Sequence, residues 1–133
     1  MARRAARKPS YATLKRKLDK VFSEWFRRRW ADPNGIVACV TCGNNMHWKN
    51  IQCGHFVSRS YLGTRWEPEN CAPQCYACNY LRRGNYAEFA KWIIGRYGQS
   101  ILDDLIALKH RPVKFSRADL QAKIYSYGSD LTR

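Results

Sequence analysis

Two Cys-x-x-Cys pairs, Cys39/Cys42 and Cys75/Cys78, say more about the architecture of this chain than anything else in its sequence. A knuckle of this kind bends the backbone so that two thiolates face one point. Two knuckles complete a closed tetrahedral Cys₄ site of the sort that binds structural Zn²⁺. Such a site has no open coordination position, so its task is to staple the fold rather than to act on a substrate. Four free thiols, or a redox pair, are the weaker reading for two knuckles in one short domain. Between Cys42 and Cys75 lie 32 residues, more than a plain zinc ribbon spans, so a further segment is inserted between the knuckles.

The 133 residues suffice for one compact domain, and 45% apolar content provides a core. Lys and Arg number 24 against 10 Asp and Glu, a net charge of +14, which points to a polyanionic partner, most often nucleic acid. Eleven of the basic residues fall within residues 1–31, against only Asp19 and Glu24 there. Residues 1–9 read as a flexible basic arm, or else a solubilising tail, and residues 10–31 as a basic amphipathic helix. No apolar run approaches the roughly 18 residues of a membrane span, and the N-terminus lacks the apolar stretch of a secretory signal. Six cysteines in such a chain favour metal ligands or thiols over disulfides and place it in the cytoplasm.

The periodicity predicts an α+β fold. Leu14, Leu18, Val21, Phe22, Trp25 and Phe26 recur at helical spacing behind Ser10, a plausible N-cap, and Asp32-Pro33-Asn34-Gly35 ends that helix. Lys15, Lys17, Lys20, Arg27, Arg28 and Arg29 occupy its other face, to meet phosphates or simply to be solvated. Short strands are expected around the first knuckle, a second strand or hairpin from His47 to Phe56, and an irregular loop from Tyr61 to Asn70. A short helix is expected at the second knuckle, ending near Gly84. Asn85 with Glu88, Ser100 with Asp103 and Ser116 with Asp119 have capping-box spacing and should open three C-terminal helices. The domain thus divides into a zinc-stapled module at 36–84 and a helical region at 85–133. Cys53 and Cys71 are left over and read as small buried hydrophobes, with a role for Cys53 in shaping the neighbouring site left open.

The inserted segment carries Gly54-His55-Phe56, then Asn70, then Asn79 directly after Cys78. With Cys39-Val40-Thr41-Cys42-Gly43, Gln74-Cys75-Tyr76-Ala77-Cys78-Asn79, Gly84-Asn85 and Tyr97-Gly98-Gln99, this pattern resembles the phage recombination nucleases called NinG or Rap, within the HNH (ββα-metal) superfamily. The resemblance covers about residues 36–105. It implies a structure-selective DNA endonuclease hydrolysing phosphodiester bonds in branched recombination intermediates, such as Holliday junctions or D-loops, in a bacterial host.

In that reading His55 is the general base, Asn70 fixes the loop and orients the His55 ring, and Asn79 is a ligand of a catalytic Mg²⁺ or Mn²⁺. Relatives carry an acidic or His ligand immediately before the base, or an Asp three places upstream; here those positions are Gly54 and Gln52. Gln52 is therefore a candidate ligand, with Asn85 and His47 behind it. Arg59, Arg65, Arg82 and Arg83, with Lys17, Lys20, Arg27 and Arg28 on the first helix, are the candidate DNA contacts. Trp48, Tyr61 and Trp66 are candidates for stacking on bases, or for packing over the zinc module. Symmetric cutting of a four-way junction would require a homodimer. The competing reading is a non-catalytic zinc-ribbon protein that binds DNA or RNA.

Overall fold

A computed structural model describes residues 7–132, so most of the arm expected at 1–9 lies outside the described residues. In chain order the elements are α1 (Tyr11–Trp30), β1 (Ile36–Ala38), β2 (Asn45–His47), β3 (Gln52–His55), α2 (Leu62–Arg65), β4 (Cys71–Gln74), α3 (Tyr86–Tyr97), α4 (Gln99–Lys109) and α5 (Arg117–Leu131). A 3₁₀ turn at Pro68–Asn70 precedes β4, and a π-helical turn at Ala77–Leu81 follows it. The described residues form a mixed α+β fold with two small antiparallel sheets, β1–β2 and β3–β4. Among the described residues no helix is long and apolar enough to cross a membrane.

Helix α1 forms as its pattern requires. Ser10 accepts from the Thr13 N–H, and Leu14, Leu18, Phe22, Trp25 and Phe26 are buried along one face. That face packs against α5, whose capping box of Ser116 and Asp119 is complete. Tyr127 of α5 meets Phe22 edge-on at 5.2 Å and Trp25 at 4.5 Å. Trp25 Nε1 donates to Asp130, so the indole is buried without stranding its N–H. Cys71 of β4 and Trp66 belong to the same cluster, which fixes the β3–β4 hairpin against α1. Its other face is held by Val57, Ala72, Phe89, Ile93, Leu102 and Leu105, joining the hairpin to α3 and α4.

The structure corrects the expected local structure in four places. Of the strand or hairpin expected from His47 to Phe56, the strand forms, at Gln52–His55, but no hairpin closes within the segment. Residues 45–47 pair with β1, whereas Gln52–His55 pairs with the distant Cys71–Gln74. The loop from Tyr61 to Asn70 contains α2 and the 3₁₀ turn. Asn85 makes no capping bond; it adopts φ 47°, and its amide turns to the Thr41 carbonyl and Cys78 Sγ. Helix α4 begins at Gln99 after Gly98, with no side-chain cap, and Asp103 accepts from the Gln99 amide.

Candidate active site and metal centre

The first knuckle is a tight turn. The Gly43 N–H donates to the Cys39 carbonyl and the Cys39 N–H to the Asn44 carbonyl, with Gly43 at φ +84°, where a side chain would be strained. The second knuckle lies at the start of the π-helical turn, where the Cys78 N–H donates to Cys75 Sγ. Together they bring the four sulfurs of Cys39, Cys42, Cys75 and Cys78 within 4.8 Å of one another. Zn–S bonds of about 2.3 Å in a tetrahedron place sulfurs about 3.8 Å apart. Cys42 and Cys75 lie at 3.6 Å, so the tetrad fits a zinc ion.

The protons on this cluster are unevenly shared. Burial opposes the Cys39 thiolate, but hydrogen bonds from Thr41 and neighbouring groups bring it down to about 6. Cys42 gains from the Asn44 backbone, yet burial and the three other thiols raise it to about 12. A divalent cation removes that conflict by allowing four thiolates at once. Outside the four cysteines, the Asn85 amide and an Arg82 N–H point at Cys78 Sγ from 3.8 and 3.9 Å.

Beside this centre a cleft of about 570 Å³ runs between α1, β3 and the π-helical turn. It is lined by His55, Gln52, Asn79, Arg27, Arg59 and Cys53 among the residues named from the sequence, and also by Ser23, Ile51, Ser58, Tyr80 and Tyr86. Asn79 Nδ2 donates to Gln52 Oε1 at 2.8 Å, which brings two amide side chains from β3 and the π-helical turn to one spot. Neither Asn85 nor His47 lines the cleft. Asn85 serves the tetrad, while His47 Nδ1 accepts from the Lys49 N–H.

His55 is set by the loop between β3 and β4. Its Nε2 lies 2.8 Å from the Arg65 carbonyl; a carbonyl only accepts, so Nε2 carries the proton and Nδ1 is the unprotonated nitrogen. Burial lowers the His55 pKa below its ordinary 6.5; the Arg65 carbonyl opposes this and Arg59 adds to it. The ring is accordingly neutral at pH 7. Asn70 does not touch the ring. Fully buried, it accepts from the Val57 N–H at 2.8 Å and donates to the Val57 and Thr64 carbonyls at 3.0 Å each. It thus braces the loop that presents the Arg65 carbonyl to His55.

Gly54 has a packing reason. A Cβ there would lie 1.9 Å from Gln74 Oε1, so the place where the resemblance puts an acidic ligand is filled by a neighbouring side chain. Gln74 is pinned by donating to the Gly84 carbonyl at 2.8 Å and to Thr41 Oγ1 at 3.2 Å, while its Oε1 is buried without a partner among the described residues.

The candidate DNA contacts separate into groups. Arg27 and Arg59 reach the cleft, Arg27 being half-buried and tied to the Ser23 hydroxyl and the Trp48 carbonyl. Lys17, Lys20, Arg28, Arg82 and Arg83 are exposed but outside the cleft lining. Arg65 makes a two-pronged ion pair with Asp19 at 2.6 and 3.0 Å, which commits it to the scaffold. Trp66 is buried, donating to the same Asp19, and packs with the α1 cluster rather than over the tetrad. Trp48 does pack beside the tetrad, with Arg27 and Arg28 over its ring. Sequence reasoning passed over Tyr76 and Tyr80, stacked at 5.2 Å and exposed. The signal was their four-residue spacing across Asn79 on a helical turn.

A family model described as the bacteriophage lambda NinG protein matches residues 1–133. No curated protein and no solved structure matches the chain.

Proposed function

Because the chain belongs to the bacteriophage lambda NinG family, we propose that it is a metal-dependent DNA endonuclease of the HNH type, cutting branched recombination intermediates. The observation that carries this reading is the meeting of His55, Gln52 and Asn79 in one basic cleft, with Asn70 locking the loop behind them. A zinc ribbon that only binds nucleic acid has no use for that set.

His55 Nδ1 accepts the proton of an attacking water, and the Arg65 carbonyl bonded to Nε2–H stabilises the cation that forms. Arg27 and Arg59 hold the scissile phosphate at the cleft wall. A hard divalent cation, Mg²⁺ or Mn²⁺, suits the amide oxygens of Asn79 and Gln52 and would supply positive charge to the phosphate and its leaving oxygen. The exposed Tyr76–Tyr80 pair offers a face on which unpaired bases at a branch point can stack, as would Tyr86 at the cleft edge.

One observation favours the second reading, a protein that binds DNA without cutting it. No carboxylate lines the cleft among the described residues, so a cation there would be held by neutral oxygens and the DNA itself. Incubating zinc-loaded protein with four-way junction, flap and plain duplex DNA, in Mg²⁺ and in Mn²⁺, separates the two. Nicking of the branched substrates ahead of the duplex supports the nuclease. Binding without cleavage in either metal supports the alternative.

A further inference from the structure

Cys53 and Cys71 take no part in the tetrad, yet they are not scattered. In the β3–β4 register His55 stands opposite Cys71, and Cys53 lies two residues before His55 on the same face of β3. One ligand atom from each of Cys53, His55 and Cys71 lies within 4.8 Å of the other two. We propose that these three residues form a second metal site, for a thiophilic cation such as Zn²⁺, and that filling it takes His55 out of catalysis. The inhibitory half rests on the nuclease reading; the site itself does not.

The donor set selects the ion. Two thiolates and an imidazole suit zinc, whereas Mg²⁺ and Mn²⁺ prefer oxygen, so this site and the Gln52–Asn79 amide pair do not compete for one cation. Binding releases two thiol protons to solvent, and the two thiolates then cancel the charge of the dication. Little net charge is left in a place that buries Cys71 completely. The histidine is already held as metal-bound histidines usually are, with one ring N–H donated to a backbone carbonyl and the other nitrogen unprotonated. Access is provided too, because Cys53 and His55 line the cleft while Cys71 lies behind them in the α1 cluster. Three protein ligands leave a fourth position for water, in contrast to the closed tetrad. A zinc ion there would occupy the lone pair that the attacking water needs, and cleavage would stop while DNA was still bound.

The test is a zinc and cobalt titration of the full, reduced, metal-stripped chain, with Cys53→Ser as the comparison and Cys53→Ala in reserve should the serine variant fold poorly. The parent should take up two equivalents of zinc and the variants one. The second equivalent of Co²⁺ should add thiolate-to-cobalt absorption that the variants lack. A parent that binds a single equivalent, or a second equivalent that survives in a folded Cys53 variant, overturns the site. In Mg²⁺, the second zinc equivalent should cut the parent's nicking rate by ~10²-fold or more, the share expected of a positioned base. Each variant should keep its own zinc-free rate. If no protein cuts DNA under any condition, the nuclease reading fails while the stoichiometry still decides the site.

Discussion

Replacing Asn70 with Ala should be among the most damaging single changes in the chain. The side chain is fully buried and serves three backbone groups, the N–H and carbonyl of Val57 and the carbonyl of Thr64, at 2.8, 3.0 and 3.0 Å. Each group left buried without a partner costs about 1–3 kcal/mol, so even the low end of that range gives about 3 kcal/mol. Against a total stability of about 5–15 kcal/mol this is a large fraction. With a urea dependence of about 1–3 kcal/mol per molar, the unfolding midpoint of the zinc-loaded protein should fall by about 1–3 M. Amide exchange at Val57 should accelerate more than in α1, because the broken hydrogen bonds are local to the loop. The nicking rate should fall with it, since the same loop presents the Arg65 carbonyl to His55. A midpoint shift under about 0.5 M, with Val57 protection unchanged, would refute the claim that Asn70 holds the loop.

Chelating zinc from the tetrad, or replacing Cys39 with Ser, should abolish the cooperative unfolding transition seen by circular dichroism, because so small a core relies on the staple. The cleavage rate should be flat between pH 7 and 8 and fall as pH drops through the His55 pKa, which burial sets below 6.5; a rate still climbing above pH 7 would point to another base. Lys17→Ala with Lys20→Ala should lower the slope of log K against log salt by about 0.9 for each duplex phosphate that is no longer neutralised, and an unchanged slope would remove this face of α1 from the interface. Gly54→Asp should destabilise the protein by at least about 1–3 kcal/mol, because its Cβ meets Gln74 Oε1. Pairing it with Gln74→Ala should recover part of that loss in a denaturant titration, and failure to do so would show that Gln74 is not what excludes a side chain at 54.

What could be read from the sequence was what local chemistry decides. The α1 stripe, the Ser10 cap and the Ser116–Asp119 box involve groups three or four residues apart, and each is found as expected. The knuckles were equally legible, since the two-residue spacing dictates where their sulfurs point. Long-range partners were not. Nothing in Gln52–His55 announces that its partner strand is Cys71–Gln74, because period-two alternation specifies a face and not a mate. Asn85 has the spacing of a cap. Its neighbours Arg83 and Gly84 also take positive φ, and the turn delivers its amide to the tetrad instead. Arg65 reads as a free charge until folding brings Asp19, 46 residues earlier, within 2.6 Å. The ordered set of His55, Asn70 and Asn79 was visible, but not that Asn70 bonds Val57 and Thr64 instead of the His55 ring.

The most direct test of the central claim is the single-turnover nicking rate of His55→Ala on a four-way junction, measured beside the parent with zinc content and junction affinity matched. If His55 is the base, the variant should bind normally, carry its tetrad zinc and cut ~10²–10⁴-fold more slowly, and raising Mn²⁺ should not restore it. Asn79→Ala, which loses a cation ligand instead, should regain part of its rate in high Mn²⁺. A His55→Ala protein that cuts the junction as fast as the parent would contradict the account.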